Sequence, residues 1–171
     1  MIGLPIHIIR FVLFILAQGL IFGKLDFGFG IHPMIYPLFI LMLPFDLSAI
    51  VLMIIAFLMG ISVDFFMNTF GLHASASVII AYFRPEIFKL FSPRDGYESF
   101  RQPSAGDLGY SWFLSVAGLM VLIHHLWFFF LEYFKLSDWF YILQKTLLSG
   151  LLTLLIFILI QIIFFKKQKA L

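Results

Sequence analysis

The chain has no cysteine and very little charge: of 171 residues, 11 are Lys or Arg and 9 are Asp or Glu. Without cysteine there are no disulfides, thiolate metal sites or thiol nucleophiles. The scarcity of charge excludes an ordinary soluble domain, in which about 25% of residues are charged, against 12% here. A net charge of +2 is too small to point to nucleic acid. No G-x-S-x-G elbow, H-E-x-x-H pair, internal repeat or low-complexity linker occurs. Apolar residues are abundant: 63% of the chain, 24 of them Phe, at a mean hydropathy of +1.08. One helical crossing takes about 20 apolar residues, which leaves room for five to seven crossings and no separate soluble domain. The composition therefore predicts an all-α integral membrane protein built as a single polytopic domain over residues 1–171.

Six spans are expected, near residues 6–23, 27–45, 47–67, 72–84, 108–131 and 139–165. Residues 11–22 have the length of a signal-peptide core, but no A-x-A-like site follows, which favours a retained anchor. The second segment is interrupted by Pro33, Pro37 and Pro44, so it is either a kinked span or a re-entrant one. Arg84-Pro85 is expected to bend or stop the fourth helix. Residues 86–91 then read as a short amphipathic piece on the headgroups, opening a cytoplasmic loop over 85–107. Tyr110, Trp112, Trp127 and Tyr133 bracket the fifth span as interfacial aromatics. Ser137 or Asp138 is placed to cap the sixth helix.

The placement of Lys and Arg sets orientation. With six spans and the amino terminus inside, eight basic residues face the cytoplasm (Arg10, Arg84, Lys89, Arg94, Arg101, Lys166, Lys167 and Lys169) against three outside, Lys24, Lys135 and Lys145. Five spans with the amino terminus outside give the same ratio, because Arg10 and Lys24 exchange sides. Both arrangements place the middle loop and the carboxyl tail in the cytoplasm. Segment length favours six.

Asp64 is the single charge in residues 47–83. A carboxylate at the centre of a membrane helix costs about 2.5–3.5 kcal/mol on insertion scales, so it needs donors or a task. Gly60, Asp64 and Asn68 share one helix face at intervals of four. Gly71, Ala74, Ser75, Ser77 and Ala81 supply small residues on the next helix, which permits close approach of the two. The plainest reading is a helix hairpin with Asp64 satisfied near the Asn68 turn; a proton, ion or partner role is the alternative. His73 with Ser75 and Ser77 reads as a packing surface, not a nucleophile with its base. His124-His125 points in two directions about 100° apart and lacks further ligands, so a polar patch within the bundle or on a docking face is expected, and no metal. Arg84, Arg94 and Arg101 read as the positive-inside signal or as contacts to anionic lipid headgroups.

The run from Gly60 to Ala76, with Asp64, Asn68, Gly71 and Ala74, continues to Ala81-Tyr82-Phe83-Arg84. It resembles the signature of the MreD family, small polytopic subunits of the bacterial rod-shape machinery, in a Bacteroidota-like version. Residues 43–46 and 92–98 and the His124-His125 span add to the likeness. The specific motif covers about 25 residues, and a looser hydropathy match covers the chain. The resemblance implies a six-helix bundle similar to the substrate-binding subunits of energy-coupling-factor transporters. It implies a non-enzymatic scaffold of the peptidoglycan elongation machinery in the bacterial inner membrane, binding the single-pass protein MreC and, indirectly, MreB, RodA and its transpeptidase. Gly60, Asp64, Gly71, Ala74, Tyr82 and Arg84 occupy the family's positions; no cofactor or catalytic residue is implied. The competing expectation is a solute-binding transporter subunit, favoured by the broken second segment.

Overall fold

The computed structural model describes residues 4–25, 27–28, 30–98 and 102–165. Asp26, Arg101 and the basic tail residues Lys166, Lys167 and Lys169 lie outside this description. The described chain is helical: α1 (Leu4–Leu16), α2 (Pro37–Leu41), α3 (Ala49–Met67), α4 (Leu72–Leu90), α5 (Ala105–Leu108), α6 (Tyr110–Tyr133) and α7 (Trp139–Phe164). A π turn over Ala17–Ile21 and a 3-10 turn over Phe22–Lys24 extend α1. Four helices are long and apolar enough to cross a membrane: Leu4–Lys24, Ala49–Met67, Tyr110–Tyr133 and Trp139–Phe164. Their outward faces are greasy, with Leu147, Leu151, Leu155 and Leu159 all more than half exposed along α7. This is a multi-pass membrane architecture.

Pairwise contacts give the directions. Gly60 on α3 meets His73 and Ala74 at the start of α4, so the two helices form an antiparallel hairpin. Trp127 on α6 bonds Ser75 near the start of α4, and Trp112 packs on Phe88 near its end, so α6 runs against α4. His125 meets Thr153, and Lys145 lies over Phe129, so α7 runs back along α6. The Arg10 guanidinium lies 5.0 Å over the Phe165 ring, which puts the start of α1 and the end of α7 at one end of the bundle.

Two expectations about helix ends are corrected. The fourth helix does not stop at Arg84, and residues 86–91 are not a separate headgroup-lying piece. α4 continues through Pro85 to Leu90. An interior proline costs about 3 kcal/mol through its missing N–H and its ring clash. Here the following turn is held by Ile87 and Phe88, each 5% exposed, and the preceding residue by the bonds of Arg84 described below. The start of α7 has no side-chain cap: the Ser137 hydroxyl donates to Asp138 at 3.1 Å, and neither side chain accepts from the helix.

Candidate functional site

The hairpin turn is made by two left-handed residues. Asn68 ends α3 at φ 58°, and Gly71 precedes α4 at φ 90°, where a side chain would be strained. Asp64 reaches across this turn. One carboxylate oxygen accepts from the Thr69 hydroxyl (2.7 Å) and the His73 N–H (3.1 Å); the other accepts from the Ala74 N–H (2.9 Å). The carboxylate thus caps α4 from the neighbouring helix, satisfying two of its otherwise unpaired N–H groups beside the positive end of the helix dipole. Four positions earlier, a Cβ on Gly60 would lie 2.6 Å from the Ala74 nitrogen and the His73 carbonyl oxygen. Only glycine permits this approach.

The expected Pro-interrupted second span takes a different form. Residues 30–44 contain only the five-residue α2; the rest is irregular backbone. This thread is nonetheless the longest buried run among the described residues, with every residue from Pro33 to Leu43 buried. It runs alongside α7: His32 meets Ser149, Met34 meets Thr153, and Met42 meets Gln161. From Ser149 to Gln161, α7 rises about 18 Å. About ten residues of thread cover that distance, half of them in α2 and half in irregular backbone, which advances up to about 3.3 Å per residue against 1.5 Å in a helix.

Irregular backbone at membrane depth survives only where protein satisfies its polar groups. The intramembrane polar side chains do this. Gln18 donates to the Pro33 carbonyl (3.3 Å) and accepts from the Ile35 N–H (2.7 Å). The Ser149 hydroxyl accepts from the His32 N–H and the Thr153 hydroxyl from the Met34 N–H, both at 3.0 Å. Arg84 closes the far end, donating to the carbonyls of Leu41, Leu43 and Pro44 while its guanidinium lies 4.3 Å from the Phe88 ring centroid. At 1% exposure, Arg84 is enclosed by protein, so its reading as a contact to lipid headgroups is corrected. Phe45, Phe88, Tyr97 and Trp112 cover it as an aromatic cluster, with Phe45 stacked on Tyr97 at 4.5 Å. Burial raises the Tyr97 hydroxyl above the ordinary tyrosine range, and it stays protonated to donate to the Phe88 carbonyl.

At mid-thread, the Tyr36 hydroxyl lies between two imidazoles, 3.0 Å from His73 Nδ1 and 2.5 Å from His124 Nε2. All three side chains are fully buried, and the outer nitrogens, His73 Nε2 and His124 Nδ1, have no hydrogen-bond partner. His125 turns away from this group, bonding the Val121 carbonyl and the Thr153 hydroxyl. The histidine pair is therefore divided between two jobs inside the bundle. Ser77 donates to the His73 carbonyl, and Ser75 accepts from Trp127, so neither serine hydroxyl is bonded to the His73 ring.

Of the residues picked from sequence, Gly60, Asp64, Asn68, Gly71 and Ala74 meet at the hairpin, Arg84 and His124 hold the thread, and Tyr82 lies outside both. Tyr82 is 60% exposed and lines an open groove of about 530 Å³ with Met53, Phe57, Ala74, Val78 and Trp127. Gln18, Tyr36, Ser149, Thr153 and Gln161 were not singled out from sequence. The signal for three of them is a stripe on α7: Lys145, Ser149, Thr153, Phe157 and Gln161 recur every fourth residue and are all buried.

No family model, curated protein or solved structure matches this chain.

Proposed function

We propose that this chain is a non-enzymatic scaffold subunit of the bacterial cell-wall elongation machinery, an MreD-like protein that binds a transmembrane helix of an MreC-like partner. The observation that carries this reading is the groove on the α3–α4 hairpin. Gly71, Ala74, Ser75, Val78 and Tyr82 form one face of α4 along it, opposite Met53, Phe57 and Ile61 of α3, with Trp127 of α6 as the third wall. Membrane helices associate where small residues let backbones approach and an occasional polar group supplies a hydrogen bond. The groove offers both, and three motif residues, Gly71, Ala74 and Tyr82, line it.

In this reading the chain lies in the inner membrane with six crossings and a cytoplasmic carboxyl terminus, arranged as a bundle similar to transporter substrate-binding subunits. Two features support six crossings: the thread runs alongside α7 from Ser149 to Gln161, and Arg10 in α1 meets Phe165 just past the end of α7. An even number of passes returns the chain to its starting side. The solute-binding alternative draws on the unpartnered ring nitrogens of His73 and His124 beside a broken segment.

The test is purification from the native membrane. The scaffold reading expects a stoichiometric MreC-like protein to co-purify, and Val78→Trp, which fills the groove from a half-buried position, to abolish that recovery without lowering thermal stability. Recovery of a bound small molecule together with an ATPase module would overturn it in favour of the transporter subunit.

A further inference from the structure

A second cavity, of about 500 Å³, lies against the thread, between α1 and the end of α7. Its floor is apolar: Phe14, Ala17, Ile35, Phe39 and Ile160 line it. Its outer end is cationic. Arg10 and, one turn before it, His7 are the polar residues of the lining. Arg10 is an anomaly in a helix that otherwise faces hydrocarbon. Its guanidinium stacks on Phe165, yet Nη1 is covered by protein and has no hydrogen-bond partner, and no described carboxylate pairs with it. Arg10 as a whole is only half-buried and lines the cleft, so an acceptor bound there meets the rest of its donor fork.

We propose that this cleft holds one anionic phospholipid, its phosphate on Arg10 and one acyl chain laid along α1 towards Ala17. The chemistry at the two ends excludes simpler occupants. A free anion leaves the apolar floor empty, and a zwitterionic lipid, which carries the same phosphodiester, adds a second cation beside an arginine that no described carboxylate neutralises. A phosphodiester matches the planar donor fork of arginine, and the floor extends about 10 Å from Arg10 to Ala17, far enough to take the upper part of an acyl chain. The site is separate from the α3–α4 groove, and its occupancy does not depend on the scaffold reading.

The experiment is native mass spectrometry of the full chain in detergent with phosphatidylglycerol or phosphatidylcholine of identical acyl chains. The wild type is expected to retain phosphatidylglycerol about tenfold better, because its headgroup brings no second cation beside Arg10. Arg10→Gln is expected to remove this preference, and Arg10→Lys to keep part of it. Ala17→Phe, which blocks the inner end with Arg10 intact, is expected to lower retention of both lipids. Inorganic phosphate at the same concentration is expected not to displace the lipid. Equal retention of the two lipids by the wild type, unchanged phosphatidylglycerol retention in Ala17→Phe, or displacement by phosphate alone would each overturn the proposal.

Discussion

The α3–α4 hairpin and the 30–44 thread lie side by side in the bundle and obey the same constraint: no backbone group can be left unpaired away from water. In the hairpin nearly all pairing is local. Two regular helices satisfy themselves, and the one exposed helix start is capped by Asp64, nine and ten residues from the N–H groups it serves. In the thread only α2 and its flanking turns pair locally, and the irregular backbone on either side does not. Its donors and acceptors are met by Gln18, Arg84, Ser149 and Thr153, up to 119 residues away. The difference is one of dependence: the hairpin pairs its backbone within its own stretch from Ala49 to Leu90, whereas the irregular parts of the thread are satisfied only once the surrounding helices have assembled.

That contrast can be broken at either side, and the largest effect is expected at Arg84. Arg84→Met leaves three buried carbonyls without their donor, at about 1–3 kcal/mol each, and should lower thermal stability in detergent more than any other single change here. Arg84→Lys should recover only part of the loss, because a point charge cannot reach three carbonyls in the way a fork does. Next comes Gly60→Leu. Overpacking the hairpin contact should cost about 1–3 kcal/mol or force α3 and α4 apart, read as lost stability together with new cysteine-crosslinking distances between the two helices. Thr153→Val is nearly isosteric and removes the acceptor for the Met34 N–H and the partner of His125. A loss of about 1–3 kcal/mol is expected, with faster amide exchange confined to residues 32–36. The smallest effect belongs to Asp64→Asn, which retains one acceptor of the cap and should cost about 1 kcal/mol. Insertion should be intact; in the scaffold reading, recovery of the partner falls while the thread's amide exchange is unchanged. If Asp64→Asn instead loosened the thread, the two regions would not be the independent units described above.

The hairpin was legible in the sequence because its determinants are near neighbours in it. Gly60, Asp64 and Asn68 share a face at a helical interval, and Asn68 to Gly71 carries turn chemistry. Pro85 was misread because proline's local preference is to end a helix, and that preference is overridden by Arg84, Ile87 and Phe88, whose burial depends on the thread. Arg84 itself reads from sequence as a topology charge, since an arginine beside a predicted loop is ordinarily solvated. Only the carbonyls of Leu41, Leu43 and Pro44, delivered by an irregular turn, make it an interior residue. The α7 stripe was present in the sequence as polar residues every fourth position, but it acquires meaning only when the thread is laid against it.

Composition and periodicity alone determined that this chain is a multi-pass helical membrane protein with a small-residue hairpin and basic residues gathered at a few points. Those properties depend on transfer energies and on neighbours a few residues apart. The tertiary structure decided the path of residues 30–44, the burial of Arg84 and the bridging of His73 and His124 by Tyr36. The physical reason is that extended backbone in an apolar medium has no internal partners for its N–H and C=O groups, so its course is set by whichever distant side chains can supply them.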